Sequence, residues 1–362
     1  MKMHFPVIVA FLAAFAAGPV FAADSLREQA TGLFEPIPET PPELPGEPST
    51  PEKVALGKML YFEPRISENH EFSCSTCHNI SMGGSDGRAS SISHLWQLGG
   101  RKTLPVLNAV FNKSQYFDGR AADLKDQVVR SVMAFPAAKL RTSGGAKIFD
   151  PAEMNVTKQR AVEELKAIPG YVDAFKKAFP TEADPIVYEN FGRAIALFEA
   201  TLITPDSPFD RWLKGDDAAL SEAQKQGVRL FVDKGCASCH NGINIGGGSY
   251  ARFGVVQNPG PEFLPPDDWG RFAVTKNLND KYVFKVQSLR NVELNLPYFH
   301  SGHVWDLKQA VAIMGEAQLG VKLSEAEIDN ITEFLKSLTG RQPEVVLPIL
   351  PPSTATTPRP QP

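Results

Sequence analysis

Hydrophobic side chains recur every three or four residues along much of this 362-residue chain, and the alternation typical of strands is almost absent. Capping signals precede several of these stripes, since Ser, Thr and Asp side chains accept hydrogen bonds from unpaired N–H groups at helix starts. We therefore predict helices that start after Thr50, Asp184, Ser221 and Ser324, the second of them covering residues 186–202. The pattern indicates an all-α fold.

An internal repeat divides the chain into two versions of one helical unit. The matching pairs are 57–62 with 227–231, 74–79 with 236–241, and 116–118 with 298–300. We expect a linker near residues 203–220, where prolines occur. The resulting boundaries are a leader (1–22), a proline-rich lead (23–50), an N-terminal domain (51–205), a C-terminal domain (206–342) and a proline-rich tail (343–362).

The first 22 residues have the pattern of a signal peptide: Lys2, an apolar run over 7–15, and Val20-Phe21-Ala22 before Ala23. A retained anchor is the alternative, but Gly18-Pro19 interrupts the apolar run. We expect export to the periplasm and no membrane span once the leader is removed. The 37 basic and 41 acidic side chains leave no positive excess for phosphates, which argues against nucleic acid as a partner.

All four cysteines lie in two Cys-x-x-Cys-His motifs. This spacing lets two thiols form thioethers with haem vinyl groups while the adjacent histidine binds the iron. A redox dithiol or half of a zinc site would be alternatives, but no βαβ pattern and no further cysteine support them. We predict two covalently bound haem c groups, held by Cys74, Cys77, His78, Cys236, Cys239 and His240.

The sixth iron ligands differ between the two halves. Met314 is the single methionine after the second motif, and we place it at a helix start before a glycine-containing loop, 315–320. Thioether ligation suits an electron-transfer haem, although a packing role is the alternative. The repeat places Ser131 opposite Met314, so the first haem needs another ligand. Its candidates are His94, in a Gly/Ser-rich loop, and Met82, Met133 and Met154.

From about Glu52 to Pro352 the chain resembles the bacterial dihaem cytochrome c peroxidases. The stretches that carry the resemblance are Cys74–His78 with Gly83-Gly84-x-Asp86-Gly87, His94-Leu-Trp96, Asp118-Gly119-Arg120, Glu153-Met154-Asn155, Cys236–His240, Tyr298-Phe299-His300-Ser301-Gly302 and Met314-Gly315. The resemblance implies two cytochrome c-like domains whose haems face an interface, and a tendency to dimerise.

The resemblance also implies the roles of the site residues. His94 would be the removable sixth ligand of the N-terminal haem, displaced when the C-terminal haem is reduced, and Glu153 would move protons during cleavage of H₂O₂. The C-terminal haem, ligated by His240 and Met314, would accept electrons from a small cytochrome c or cupredoxin. Arg120 and Arg271 suit haem propionates as bidentate donors, with ordinary ion pairs as the alternative.

Several positions depart from the family pattern. Phe117 stands where the family usually has a tryptophan between the haems. Lys102 and Asn295 stand where it has an asparagine side chain and a threonine carbonyl at a calcium site. Because Ca²⁺ requires oxygen ligands, the lysine argues against calcium, and its ammonium would supply positive charge in the same place. The segment 135–149 before Glu153 is also longer than usual.

Three functions are compatible with these motifs. The first is a peroxidase, which we favour because of Glu153, the loop-borne His94 and the absence of a methionine at position 131. The second is a relative of the MauG type that oxidises a partner protein, in which a tyrosine replaces the second-haem methionine. The third is a dihaem electron carrier. Trp96, Trp269 and Trp305 are expected to pack or to shield propionates, without a redox role.

Overall fold

The computed structural model describes residues 20–129, 139–143, 146–150 and 153–361. Residues 1–19 of the predicted leader, Ser131 and Met133 lie outside the described residues. The α-helices are α1 (Val20–Thr31), α2 (Pro51–Tyr61), α3 (Cys74–Cys77), α4 (Leu124–Gln127), α5 (Lys158–Lys166), α6 (Pro169–Ala178), α7 (Tyr188–Ala200), α8 (Pro208–Leu213), α9 (Glu222–Asp233), α10 (Phe272–Thr275), α11 (Leu307–Met314) and α12 (Glu325–Lys336). Short 3₁₀ turns connect them.

The N-terminal core forms where α2 crosses α7, with α5 and α6 packed beside them. Gly57 lies at the crossing, and a Cβ there would come within 1.9 Å of the carbonyl oxygen of Ala194. Only glycine allows the two backbones to approach so closely. Tyr61, Tyr171 and Phe175 fill the space around the crossing, and all three are fully buried.

The C-terminal core repeats this arrangement with α9 and α12. A Cβ at Gly227 would lie 2.0 Å from the carbonyl oxygen of Asn330, so the crossing glycine recurs at the same point of the repeat. Phe231 and Phe334 pack against each other below it at 5.2 Å. The two helix pairs show that the sequence repeat is also a structural repeat.

Each terminal segment of the chain packs against the domain at the opposite end of the sequence. The N-terminal lead packs on the C-terminal domain, where Arg290 donates to the carbonyl of Glu35 at 2.8 Å and pairs with buried Asp210 at 2.7 Å. The C-terminal tail returns to the N-terminal domain, where Arg65 donates to the carbonyl of Pro351 at 2.8 Å. The backbone N–H of Gln361 donates to the carbonyl of Glu68 at 2.9 Å.

Two antiparallel strand pairs supplement the helices. β1 (Lys139–Ser143) pairs with β2 (Ala146–Asp150) within the segment expected to be long, and β3 (Tyr250–Arg252) pairs with β4 (Val283–Lys285). In the described part of the chain, no helix combines the length and apolar character that a membrane crossing requires.

The helix starts after Thr50, Ser221 and Ser324 are confirmed, and each side chain caps its helix. The start after Asp184 was wrong: α7 begins at Tyr188, because the Asn190 side chain donates to the carbonyl of Pro185 and keeps that segment outside the helix.

Three further expectations need correction. The region 203–220 is no open linker, because it contains α8, whose Phe209 and Trp212 are buried in the C-terminal core. The all-α expectation holds in part: the fold is mostly helical with two short antiparallel strand pairs, and α1 also packs on the C-terminal core through Leu26 and Ala30. Met314 ends α11 and precedes the π-helix Gly315–Leu319, so it does not lie at a helix start.

Candidate active site

The first Cys-x-x-Cys-His motif forms one tight helical turn, α3, and His78 follows as its C-cap. Nδ1 of His78 lies 2.9 Å from the carbonyl oxygen of Leu104, and the Tyr61 hydroxyl donates to the carbonyl of His78 at 2.5 Å. Burial lowers the pKa of His78, which favours the neutral ring. With Nδ1–H donating to a carbonyl, Nε2 keeps the lone pair that a metal ligand needs.

The second motif repeats this geometry. Nδ1 of His240 lies 3.3 Å from the carbonyl oxygen of Ile245, and burial lowers its pKa to about 4. The residues Cys236–Ser238 form a 3₁₀ turn that starts after Gly235, whose φ of 93° only glycine adopts at low cost. Both motif histidines are therefore neutral and held in one tautomer by a backbone carbonyl.

The four cysteines are unpaired thiols in this structure. Burial raises the pKa of Cys77 to about 12 and that of Cys236 to about 11, and it raises the pKa of Cys74 still further. Redox-active Cys-x-x-Cys pairs have the opposite property, a lowered pKa that favours the thiolate. The environment of these thiols therefore fits covalent attachment of a group and does not fit dithiol exchange.

A large cavity opens beside His78, with about 1100 Å³ of empty space, and a smaller one of about 440 Å³ adjoins it. Cys77, His78 and Ile92 line both parts. The residues thus fit a haem: two thiols at the spacing of vinyl groups, a neutral imidazole with an available Nε2, and an open cavity beside them.

Cationic side chains line the larger cavity. Arg101 is partly buried and bridges Asp118 and Asp268 at 3.1 and 2.6 Å, and Arg120 pairs with Asp118 at 3.2 Å. Lys102 also faces this cavity. The guanidinium groups of Arg101 and Arg120 keep positive charge at this wall of the cavity, which suits the propionates of a haem as further hydrogen-bond acceptors.

Glu153 lines both parts of the cavity, as do Gln127 and Glu199. Burial raises the pKa of Glu199 to about 8. Sequence reasoning missed Gln127 and Glu199. Glu199 had a readable signal, since it is a carboxylate within the apolar stripe of α7, whereas Gln127 follows Lys125 and Asp126 in a short polar turn and had none.

His94 is buried and lies in the short 3₁₀ turn His94–Trp96 of the Gly/Ser-rich loop. Its backbone N–H donates to the carbonyl of Glu153 at 3.0 Å, and this bond draws the residue inward. His94 is not among the described residues that line the two cavities. Of the other candidates, Met82 is exposed and Met154 is buried against the smaller cavity.

Met314 lies in an apolar cluster that joins the two domains. It packs with Phe117, Phe253, Phe284 and Ala317. Phe117 also lines the cavity beside His78, so a single side chain reaches both this cavity and the cluster around Met314.

The remaining predicted residues lie at the domain interface. Arg271 donates to the carbonyl of Asp118 at 3.0 Å and stacks on Tyr250, while Arg120 stacks on Tyr116. Of the two arginines, Arg120 is the one among the described cavity-lining residues. Trp96 and Trp305 are more than half exposed, and Trp269 donates to the carbonyl of Pro266.

Lys102 is buried, and its ammonium donates to the carbonyl oxygens of Asn295 and Pro297, each at 2.6 Å. It links the N-terminal domain to the other half of the chain. Its pKa is lowered to about 8 by burial. A calcium ion does not fit beside this ammonium group, because the carbonyl oxygens that could coordinate an ion already accept hydrogen bonds from a cation.

Comparison with known proteins agrees with this architecture. The di-haem cytochrome c peroxidase family matches residues 51–218, and the cytochrome c family matches residues 224–339. The fold and motifs therefore define a protein of two cytochrome c-related domains, which implies haem c as the cofactor. A solved MauG-like protein associated with microbial copper homeostasis shares this fold, with a TM-score of 0.72 and 24% identity over 84% of this chain and 95% of that one.

Relatives that align with nearly the full length of the chain define its protein family more closely. The chain is 51% identical to a cytochrome c551 peroxidase of Pseudomonas aeruginosa over 95% of both proteins. It is 43% identical to that of Nitrosomonas europaea, covering 87% of this chain and 88% of that one. The methylamine utilization protein MauG of Methylorubrum extorquens is 35% identical, with 87% and 86% covered. The chain belongs to the di-haem cytochrome c peroxidase family.

Proposed function

We propose that this chain reduces hydrogen peroxide to water in the periplasm, with electrons from a small cytochrome c or cupredoxin. The observation that carries the proposal is the position of Glu153 in the cavity that Cys77 and His78 also line. A carboxylate there can take a proton from one peroxide oxygen and return it to the other as the O–O bond breaks. The relatives named cytochrome c551 peroxidase support the same activity.

The N-terminal site would bind peroxide. Cys74 and Cys77 would form the thioethers, and His78 would ligate the iron through Nε2. A haem c bound there supplies the metal that binds peroxide and the electrons that reduce it. The carboxylate of Glu153 moves the proton, while Gln127 shares the cavity and can hydrogen-bond a bound oxygen species.

The C-terminal site would receive electrons. Cys236, Cys239 and His240 would hold the second haem, and Met314 would be its sixth ligand. Thioether ligation raises the reduction potential, so this site would accept electrons singly. Phe117, which lines the cavity beside His78 and packs in the cluster with Met314, would lie on the path between the two sites.

His94 would be the removable sixth ligand of the N-terminal haem. Arg120 would pair with a propionate in the cavity that it lines, whereas Arg271 would hold the domain interface through the carbonyl of Asp118. Once His94 has left the iron, peroxide could bind the metal. Reduction of the C-terminal haem would trigger that release.

A spectroscopic titration tests this function. The holoprotein is reduced by one electron, and EPR spectra and peroxide turnover with a reduced donor are recorded before and after. We expect a low-spin N-terminal haem that becomes high-spin on half-reduction, together with the start of turnover. Turnover by the fully oxidised protein would support the peroxidase function but contradict the role of His94 as a removable ligand. Two low-spin haems that ignore peroxide would reject the peroxidase in favour of an electron carrier.

Lys102 would make the protein independent of calcium, because its ammonium already lies against the carbonyls of Asn295 and Pro297. The test compares the wild type with Lys102→Asn in the presence of a chelator. We expect wild-type turnover to be unchanged, and the variant to lose turnover and recover it when Ca²⁺ is added. Loss of wild-type turnover in the chelator would contradict the proposal.

A further inference from the structure

Glu68 faces His94 from the turn after the 3₁₀ segment Pro64–Ile66. Nε2 of His94 lies 3.6 Å from Oε2 of Glu68, which is ion-pair range but longer than a hydrogen bond. The His94 side chain is 10% exposed and that of Glu68 is 27% exposed. Among the described residues, Nδ1 of His94 has no hydrogen-bond partner. Glu68 is therefore the polar side chain that the structure pairs with this imidazole.

This contact excludes ligation through the same atom. Nε2 is the ring nitrogen farthest from the backbone, and a nitrogen that faces a carboxylate cannot bind iron at the same time. Ile92, two residues earlier, lines both parts of the cavity, whereas His94 is not among the described lining residues. In this structure the imidazole therefore lies against Glu68, outside the described lining of the two cavities.

The partner of His94 is itself held in place. The backbone N–H of Glu68 donates to the carbonyl of Met154 at 3.0 Å, and the Asn155 amide donates to its carboxylate. The backbone N–H of His94 donates to the carbonyl of Glu153 at 3.0 Å. The short segment 153–155 therefore contacts both members of the pair, and its first residue is the cavity carboxylate.

We propose that Glu68 is a positioning residue that receives His94 when it leaves the iron, and that this contact keeps the site open with the Glu153 segment beside the cavity. The proposal rests on the proposed role of His94 as a removable ligand. Glu68 competes with the iron for Nε2, so it shifts the equilibrium toward the open state. For a partly exposed ion pair the expected shift is about fivefold.

The test measures the ratio of high-spin to low-spin N-terminal haem in the half-reduced holoprotein by EPR. Glu68→Gln keeps the size of the side chain and its contact with Asn155 while removing the charge. We expect this ratio to fall about fivefold. Glu71→Gln changes an exposed acid in the same turn and is the matched control, with an unchanged ratio. The potential of the C-terminal haem and the unfolding temperature should stay at wild-type values in both variants.

A second background separates the outcomes. In His94→Gly the imidazole is absent, so the haem should be high-spin whether or not Glu68 is replaced. An effect of Glu68→Gln in that background, or a wild-type ratio in the single variant, would overturn the role of Glu68. If the wild type itself stays low-spin on half-reduction, the His94 gate fails and the inference fails with it. If the wild type and Glu68→Gln become high-spin to the same extent on half-reduction, only the proposed role of Glu68 is rejected and the His94 gate stands.

Discussion

The two haem-motif regions share one scaffold and differ in what faces the metal position. In both, a helix pair crosses at a glycine, and a motif histidine is fixed through Nδ1 by a backbone carbonyl. The first region adjoins an open cavity that contains Glu153 and Glu199. In the second region, Met314 packs within an apolar cluster.

One pair of positions shows the difference clearly. Phe198 and Phe334 contact the two crossing glycines, and the residues that follow them are Glu199 and Leu335. The same place in the repeat thus carries a buried carboxyl in one domain and a buried leucine in the other. A duplicated fold acquires two chemistries when a few cavity-facing residues change from apolar to polar, while the crossing that holds the fold stays constant.

The largest expected effect concerns the proton-moving group of the first region. Glu153→Gln should lower peroxide turnover by about 10²–10⁴-fold, the usual contribution of a general acid or base. Stopped-flow and steady-state assays measure the loss, with haem content and spin state as checks on integrity. Glu163→Gln, an exposed acid on α5, is the control and should retain full turnover. Equal turnover in Glu153→Gln and the wild type would show that Glu153 does not give the first region a proton-transfer role.

The second region is tested through its methionine. Met314→Leu keeps the apolar packing but removes the thioether, so the potential of the C-terminal haem should fall by on the order of 100 mV. Potentiometric titration measures this change. Met59→Leu, in the N-terminal core, should leave both potentials unaltered. A C-terminal potential unaffected by Met314→Leu would show that Met314 only packs.

The shared scaffold is tested with two equivalent substitutions. Gly57→Ala and Gly227→Ala each place a Cβ about 2 Å from a backbone oxygen, and each should lower the free energy of unfolding by roughly 1–3 kcal/mol. Urea unfolding of the holoproteins measures the loss. Gly248→Ala meets no described atom within 4 Å and should be neutral. A loss at one crossing alone would break the symmetry of the repeat.

A last difference between the two regions is a pH dependence confined to the first. Burial raises the pKa of Glu199 from 4.5 to about 8, so the folded protein keeps a proton that the unfolded chain releases. Its contribution to stability is complete below pH 4.5 and is lost as the pH rises to about 8. The slope reaches at most about 1.4 kcal/mol per pH unit.

Replacement with the residue of the other domain isolates this contribution. Glu199→Leu should flatten the dependence of the free energy of unfolding on pH between 4.5 and 8. Glu189→Gln, an exposed acid on the same helix, should leave the wild-type curve in place. Identical curves for Glu199→Leu and the wild type would mean that the carboxyl is not desolvated in the folded holoprotein.

Local patterns predicted what depends on neighbours in the chain. The helices after Ser221 and Ser324 were predicted because a cap and the N–H groups it satisfies lie within three residues. The start after Asp184 was predicted by the same rule and failed, because a contact between Asn190 and Pro185 prevailed. The burial of His94 was likewise beyond a local rule, because it depends on a contact with Glu153, which is distant in sequence.

The sequence by itself determined the mostly helical repeat, the family resemblance and the six motif residues, because these depend on spacing along the chain. Tertiary structure decided the packing of each terminal segment against the domain at the opposite end of the sequence and the placement of Lys102 against Asn295 and Pro297. It also decided the pairing of His94 with Glu68 and the desolvation of Glu199. Burial and pairing of charges depend on groups distant in sequence. The periodicity within one segment does not encode which distant group will contact it.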